Sequence, residues 1–431
     1  LLIKLVIMAQ SVNITSKGIQ KVLKNYNEKQ AIAEYIWNGF DANADHVAID
    51  YVANELGHLE SLTIADNGYG INFEKLQQKF DPFYESEKAI QITTPKHTSK
   101  MHGRNGVGRL TFFTFAHTAT WFTTYQSDKG FQKGKIQINT GELNNYIHDF
   151  SAAASPAGTT GTTVRFTNLR IGLQDLEISI IPFLINEFCW FIELNRNKKY
   201  SISINGEPID FNTNIRTSES FSIKHPDSSI SFNIKYVHWK ENLHKELSKY
   251  YFTSNGEEIY KDYTTLNKKS DEYYHSVYID SDFFKDFDFR SVENQHGQVT
   301  LFSTAKNSAA YKFLIKELTE YLRSKRKPFL KEYADRLIEN YEQEQIFPEN
   351  YNEPANRKQK TELVALIKAL YELEPKLFSA LSIDQKKMLV RLLGMLLNTQ
   401  AQEAIFQMLN DIVVFSPEEQ AELTEILSSA R

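Results

Sequence analysis

The alternation of apolar and polar positions gives this chain several stretches of distinct character. Over residues 19–38, Ile19, Val22, Leu23, Ile32, Ile36 and Trp37 recur at helical intervals, which predicts an amphipathic helix. Leu62-Thr-Ile64-Ala is a short β-branched run that predicts a strand, and Asp66-Asn-Gly68-Tyr-Gly70 ends it sharply. After residue 170 the pattern turns to strands. Tyr200-Ser-Ile-Ser-Ile-Asn-Gly206-Glu-Pro208 reads as strand, turn and strand, and Ser229 to Trp239 alternates with period two. Tyr250 to Tyr260 reads as two strands folded about Ser254-Asn255-Gly256, His275 to Asp282 as another strand, and 306–342 as a long helix. Residues 343–360 are polar, carry Pro348 and Pro354, and read as a linker. Helical spacing then returns with Leu363, Leu366, Ile367 and Leu370, and again with Met388, Leu389, Leu392, Leu393 and Leu396. Ser416-Pro417 reads as one more helix start, with serine as N-cap and proline at the first helical position. The expected class is α+β: a domain over 1–170, a mixed α/β domain over 171–342, the linker 343–360 and a helical module over 361–431.

Composition narrows this picture in a few ways. At 431 residues with 41% hydrophobic side chains, the chain is globular and large enough for two or three cores. A net charge of −5 gives no global attraction to nucleic acid. The single cysteine, Cys189, lies in Phe-Cys-Trp-Phe and reads as core; it excludes an internal disulfide and any zinc site built on several cysteines. No apolar run approaches a membrane span, and Leu1 to Met8 is too short for a signal peptide, so a cytoplasmic protein with Met8 as its start is expected.

Three segments carry candidate chemistry. In the first, Glu34 and Asn38 are four apart on the predicted helix and project from one face, with Asp41 and then Ala42 following. A carboxylate, an amide oxygen and a second carboxylate on one stripe can hold a hard cation and orient a water. Magnesium takes few protein ligands beside phosphate oxygens and water, which suits a neutral asparagine, and Glu34 is placed to act as a general base. The second segment ends a strand with Asp66, an acceptor for an exocyclic amine such as that of adenine, and Gly68 and Gly70 let a ligand approach the backbone. In the third, Gly103-Arg104-Asn105-Gly106-Val107-Gly108 runs into Leu110-Thr-Phe-Phe. Read as a glycine loop opening a helix, it offers backbone N–H groups to phosphate, with Lys100 just upstream as a cation. It is neither a Walker loop nor a dinucleotide fingerprint, since no Lys-Ser/Thr follows and the glycine order is reversed.

Taken in this order, the three segments resemble the Bergerat-fold ATPases of the GHKL superfamily, which includes gyrase B subunits, ninety-kilodalton heat-shock chaperones, histidine kinases, MutL-type and MORC-type proteins. Gly161-Thr162-Thr163-Val164 resembles the family's Gly-Thr strand, and Lys96-His-Thr-Ser-Lys100 the stretch before the glycine loop in MutL-like members. The resemblance covers about residues 15–170 and implies an α/β sandwich with helices on one face of a mixed sheet. It implies ATP and Mg2+ as ligands, Glu34 as catalytic base and Asn38 as magnesium ligand. Asp66 would read adenine with Thr162 through a water, Gly70 would line the base pocket, and Gly103, Gly106 and Gly108 would wrap the phosphates. Residues 81–102 would form a lid. A transducer-like domain would follow and give a lysine to the γ-phosphate, with Lys268 or Lys269 in that place. Only 33 residues precede Glu34, too few for the helical hairpin of a histidine kinase, and one cysteine is too few for a MORC zinc reader. The expected function is an ATP-gated homodimeric clamp or switch acting on DNA or a DNA-processing partner, in genome maintenance or phage defence. A chaperone-like ATPase and a nucleotide-sensing scaffold are the alternatives. The basic run Arg323-Ser-Lys325-Arg326-Lys327 leans toward DNA, and the apolar Leu2 to Ile7 is a candidate exchanged arm.

Overall fold

The structure is a computed structural model and describes residues 15–76, 108–155, 158–243, 246, 248–266, 272–289, 304–397 and 421. It divides into two compact units, Leu1–Thr217 with Phe252–Ile259 and Ser218–Tyr251 with Tyr260–Arg431. The candidate arm, the lid and the helix start at Ser416 lie outside the described residues.

In the first unit the single helix expected over 19–38 is two: α1 (Ser16–Val22) and α2 (Glu28–Asp41). Local polar chemistry makes the break. Asn27 caps α2 by accepting from the Gln30 backbone N–H at 2.9 Å, while the Gln30 side chain accepts from the Asn27 N–H. This reciprocal cap satisfies two donors that an uninterrupted helix would have bonded internally. Apolar periodicity was continuous across the break, so the cap alone marks it.

An eight-stranded sheet lies against these helices. Its strands are β1 (His46–Ala53), β2 (Leu59–Asp66), β3 (Ala116–Ser127), β4 (Gly130–Asn139), β5 (Ile147–Ser155), β6 (Gly161–Leu169), β7 (Ser201–Ile204) and β8 (Glu207–Pro208), in the order β5-β4-β3-β6-β2-β1-β7-β8. All described neighbours are antiparallel except β1 and β7, which run parallel with Val47 opposite Ile202. Alternation sends Ile64, Trp121, Ile136, Val164 and Phe166 into the core and leaves Phe122, Lys135 and Arg165 on the other face. Helix α3 (Ile181–Leu194) packs on α2: the Trp37 ring lies 4.5 Å from Phe188, and Phe40 lies 5.1 Å from Phe191. Helices on one face of a mixed sheet are what the GHKL resemblance implied. The unit runs past residue 170, to Thr217, because α3, β7 and β8 complete this same layer. Cys189 is buried on α3, where burial pushes its thiol up to about 12.

The second sheet orders β12-β11-β13-β10-β9, from β9 (Ile215–Lys224), β10 (Ser231–Trp239), β11 (Lys249–Ser254), β12 (Glu257–Tyr263) and β13 (His275–Asp280). The β11–β12 turn has Asn255 and Gly256 both at positive φ, 51° and 75°, as the sequence signal required. Helix α4 (Ala309–Gln343) packs Tyr321 on Phe221 at 4.5 Å and Phe329 on His238 at 5.0 Å. The basic run on α4 is partly consumed by packing. Lys325 pairs with Glu219 at 2.6 Å and Arg326 is buried, so it offers less to phosphate than its sequence suggests.

Residues 343–360 differ most from expectation. Ile346, Phe347 and Tyr351 are buried in a core with Tyr341 of α4, Leu363 and Ile367 of α5 (Arg357–Leu373), and Val390 and Leu393 of α6 (Ile383–Leu397). A few apolar residues in a polar, proline-bearing stretch thus bind the connection to the helices on either side. Ile346 is 1% exposed, so Ile346→Ala is expected to cost about 2–5 kcal/mol, as for other buried isoleucines. Urea unfolding checks this; a change within about 0.5 kcal/mol, typical of a solvated linker position, is the contrary outcome.

Candidate functional site

The flank of α2 that carries Glu34, Asn38, Asp41 and Ala42 is half-buried, between a fully packed face and solvent. The second expected segment and the end of the third meet it at close range, where glycines leave room. At Gly39 a Cβ would stand 2.9 Å from the Asp66 Cβ and 3.0 Å from Val47, so the absence of a side chain lets the helix reach the end of β2. Gly68 is equally close, its missing Cβ falling 2.5 Å from the Ala42 carbonyl oxygen, and the Tyr69 N–H donates to that same oxygen at 2.9 Å. At Gly108 a Cβ would lie 2.7 Å from Oε2 of Glu34. Glu34 therefore lies directly against the last glycine of the third segment. After Gly108 the chain forms 3-10 turns over Gly108–Thr114, where the sequence predicted a helix opening. The Tyr35 hydroxyl fixes this stretch by donating to the Arg109 carbonyl at 2.7 Å.

Asp66 ends β2 with one oxygen committed. Its Oδ1 accepts from the Gly68 N–H at 2.9 Å and from the Thr162 N–H at 3.3 Å. Both bonds favour the carboxylate, but burial outweighs them and raises the carboxyl from 3.8 to about 6. With Oδ1 so engaged, Oδ2 remains as a further acceptor. Thr162 stands opposite Asp66 in the β2–β6 register, where the Gly-Thr resemblance put it.

Sequence reading missed the residues that hold this corner. Thr123 on β3 bonds the Thr162 hydroxyl at 3.1 Å and accepts from the Ile71 N–H at 2.8 Å, which ties the turn after Gly70 to β3 and β6. Gly70 sits at φ 74° with the Thr124 carbonyl against the place of a Cβ, so a side chain there is excluded twice over. Asn67 accepts from the Asp45 and His46 N–H groups at 3.1 Å each and donates to the Asp45 carboxylate at 2.6 Å. Thr123 carried no signal, being one of many threonines; Asn67 was visible only as part of a turn. Lys100, Gly103, Arg104, Asn105, Gly106, Val107 and Lys268 lie outside the described residues.

The raised Asp66 carboxyl has a consequence for stability. The folded state keeps this proton up to pH about 6, while the unfolded chain releases it near 3.8, so folding binds a proton between the two values. Stability therefore falls as pH rises through that window. Asp66→Asn keeps an oxygen for the Gly68 and Thr162 N–H groups without the buried charge. It is expected to gain about 1–3 kcal/mol over the parent protein between pH 4 and pH 7. Urea unfolding at the two pH values tests this, and parallel pH profiles for both proteins would show that Asp66 carries no such cost.

Residues 26–155 match the family of histidine kinase-, DNA gyrase B- and HSP90-like ATPases. No curated protein is similar to the chain. Among solved structures, the Aquifex aeolicus MutL ATPase domain complexed with ADP is 13% identical, with 59% of this chain and 91% of that one covered at a TM-score of 0.31. That likeness is too loose to carry an argument about this protein. The segment 26–155, with Glu34, Asn38, Asp66 and Gly108 on the faces just described, is a GHKL-type ATPase domain.

Proposed function

We propose that the chain binds ATP with magnesium beside the flank of α2, hydrolyses it, and uses the nucleotide state as a switch. The observation that carries this reading is the meeting of Glu34 with Gly108 and of Gly39 with Asp66 along one helix, within the family match. In this reading Glu34 is the general base that draws a proton from the attacking water. Asp66 accepts the adenine amine at Oδ2, with Thr162 beside it, while Gly68 and Gly70 shape the base pocket. Asp41 and Ala42 close the groove at the end of α2. The loop 103–108, Lys100 and Lys268 are assigned to the phosphates.

For a cation, Asn38 offers a neutral oxygen on the half-buried flank. Among the described residues no three acidic, histidine or cysteine side chains gather into a cage of their own. That chemistry suits magnesium, which accepts one protein oxygen beside phosphate and water ligands. Bound there, it would neutralise charge on the phosphates. We further assign the switch to nucleotide-dependent pairing of two copies that acts on DNA or a DNA-processing partner.

Glu34→Ala is expected to keep ATP binding and lose hydrolysis by about 10²–10⁴-fold, the usual contribution of a general base. Phosphate release measured beside ATP-analogue binding decides this, and unchanged turnover would sink the assignment. Light scattering with ADP and with a non-hydrolysable ATP analogue tests the switch, which is absent if mass and shape stay constant.

Asp66 makes a separate forecast. Protonation below pH about 6 turns it from acceptor to donor, so affinity for ATP should drop as pH falls through that value. In Asp66→Asn the ATP-over-GTP preference should shrink, with an affinity loss of about 1–3 kcal/mol from the mismatched bond. Calorimetric titrations across pH 5 to 8 measure both effects; an affinity flat with pH and equal for ATP and GTP counts against an adenine-reading Asp66.

A further inference from the structure

The second face of the eight-stranded sheet carries an exposed aromatic ring between basic side chains. A cavity of ≈ 480 Å³ reaches this face, lined by Phe122, Thr124, Lys133 and Lys135 and, at its other end, by Asp66 and Thr123. Strand alternation puts Phe122, Thr124, Lys133, Lys135 and Thr163 on the face opposite Trp121, Ile136 and Thr162. Phe122 is 44% exposed, an unusual place for a phenyl ring in the middle of a wide sheet. The registers place Lys135 beside it on β4 and Thr163 beside it on β6, with Lys133 opposite Thr124 and Arg165 opposite Thr120. The Lys135 ammonium stands 6.0 Å from the Phe122 ring centre. Lys133 and Arg165 are exposed and form no ion pair with a described residue. Asp149 stands opposite Lys135 on the outer strand β5, and Asp66 is the other carboxylate that lines the cavity.

We propose that this face binds single-stranded nucleic acid, a base stacking on Phe122 while Lys133, Lys135 and Arg165 take the flanking phosphates. Three features favour this occupant. An exposed ring offers a π-face that every unpaired base can use, and a duplex keeps its base faces covered. The cations lie to both sides of the ring, as phosphates do about a stacked base. Finally, the threonine hydroxyls around the ring can donate to phosphate and sugar oxygens and accept from base amines. DNA and RNA share this chemistry. The site takes its nucleic-acid partner from the proposed function, and its cavity also reaches Asp66, but stacking on Phe122 requires no ATP turnover.

Fluorescence anisotropy without ATP, on the full chain with labelled oligo(dT), oligo(U) and duplex DNA, tests the proposal. Single strands are expected to bind more tightly than duplex, with affinity falling as salt rises. Phe122→Ala should weaken binding about tenfold at constant salt, with Phe122→Trp restoring it. Lys133→Ala/Lys135→Ala should flatten the log–log salt dependence by about 1.4, the single-strand value for two phosphates. These side chains are exposed, so unchanged thermal unfolding of each variant separates a lost contact from a lost fold. Preference for oligo(dT) or for oligo(U) assigns the natural strand. Overturning results are no salt-dependent binding by the parent protein, equal binding by Phe122→Ala and the lysine variant, duplex binding as tight as single-strand binding, or equal displacement by polyglutamate.

Discussion

The close approach of α2 to the end of β2 is the contact on which the candidate site depends. Helix and strand come together at Gly39 and Asp66, with Val47 of the next strand touching the same spot. A methyl group there would force the helix outward, and overpacking of this kind typically costs about 1–3 kcal/mol. The same displacement would separate Glu34 from Gly108 and Ala42 from Gly68, because all four contacts lie along one rigid helix. Glycine in the helix interior sacrifices about 1 kcal/mol of propensity relative to alanine. The sequence accepts that loss where close approach has structural value, and the capping box at Asn27 and Gln30 supports the helix at its other end.

Asp66 shows a second compromise. A carboxylate kept from water at a strand end destabilises the fold near neutral pH, and its two backbone N–H donors offset only part of the loss. A neutral side chain of the same shape would serve the fold better. A buried carboxyl without a counter-charge is the kind of group that a ligand could satisfy. Glu246 offers a contrast in the second unit: it is buried too, but Lys261 and Lys249 stand 2.9 and 3.3 Å away and hold its carboxyl below the usual range. One buried acid is balanced by cations, and the other has only backbone N–H donors.

Much of this was legible in the sequence where local chemistry determines structure. Asn255-Gly256 specified its turn, period two specified β10, and Asp66-Asn-Gly ended β2 where a strand had to stop. Glu34, Asn38 and Asp41 share a flank because helical spacing requires it. What stayed hidden depends on distant partners. The break between α1 and α2 turns on one cap inside a continuous apolar pattern, and the fate of 343–360 turns on three apolar residues whose partners lie on other helices. The basic run on α4 is the converse: read alone it is a patch, but the fold pairs Lys325 and buries Arg326. Thr123 has no sequence mark at all, since its importance lies in standing beside Thr162 and Ile71.

The two faces of the large sheet follow one rule with opposite results. Period two sends Trp121 and Thr123 toward the helices, and the same rule makes Phe122 and Thr124 their solvent-facing neighbours. A single strand, β3, thus contributes Thr123 to the corner that holds Asp66 and Phe122 to the exposed face, and one cavity is lined by all three. Thr162 and Thr163 do the same on β6, and they meet β3 in register. A ligand that shifts β3 against β6 from one face must alter the spacing of side chains on the other, because a sheet has no slack between its faces.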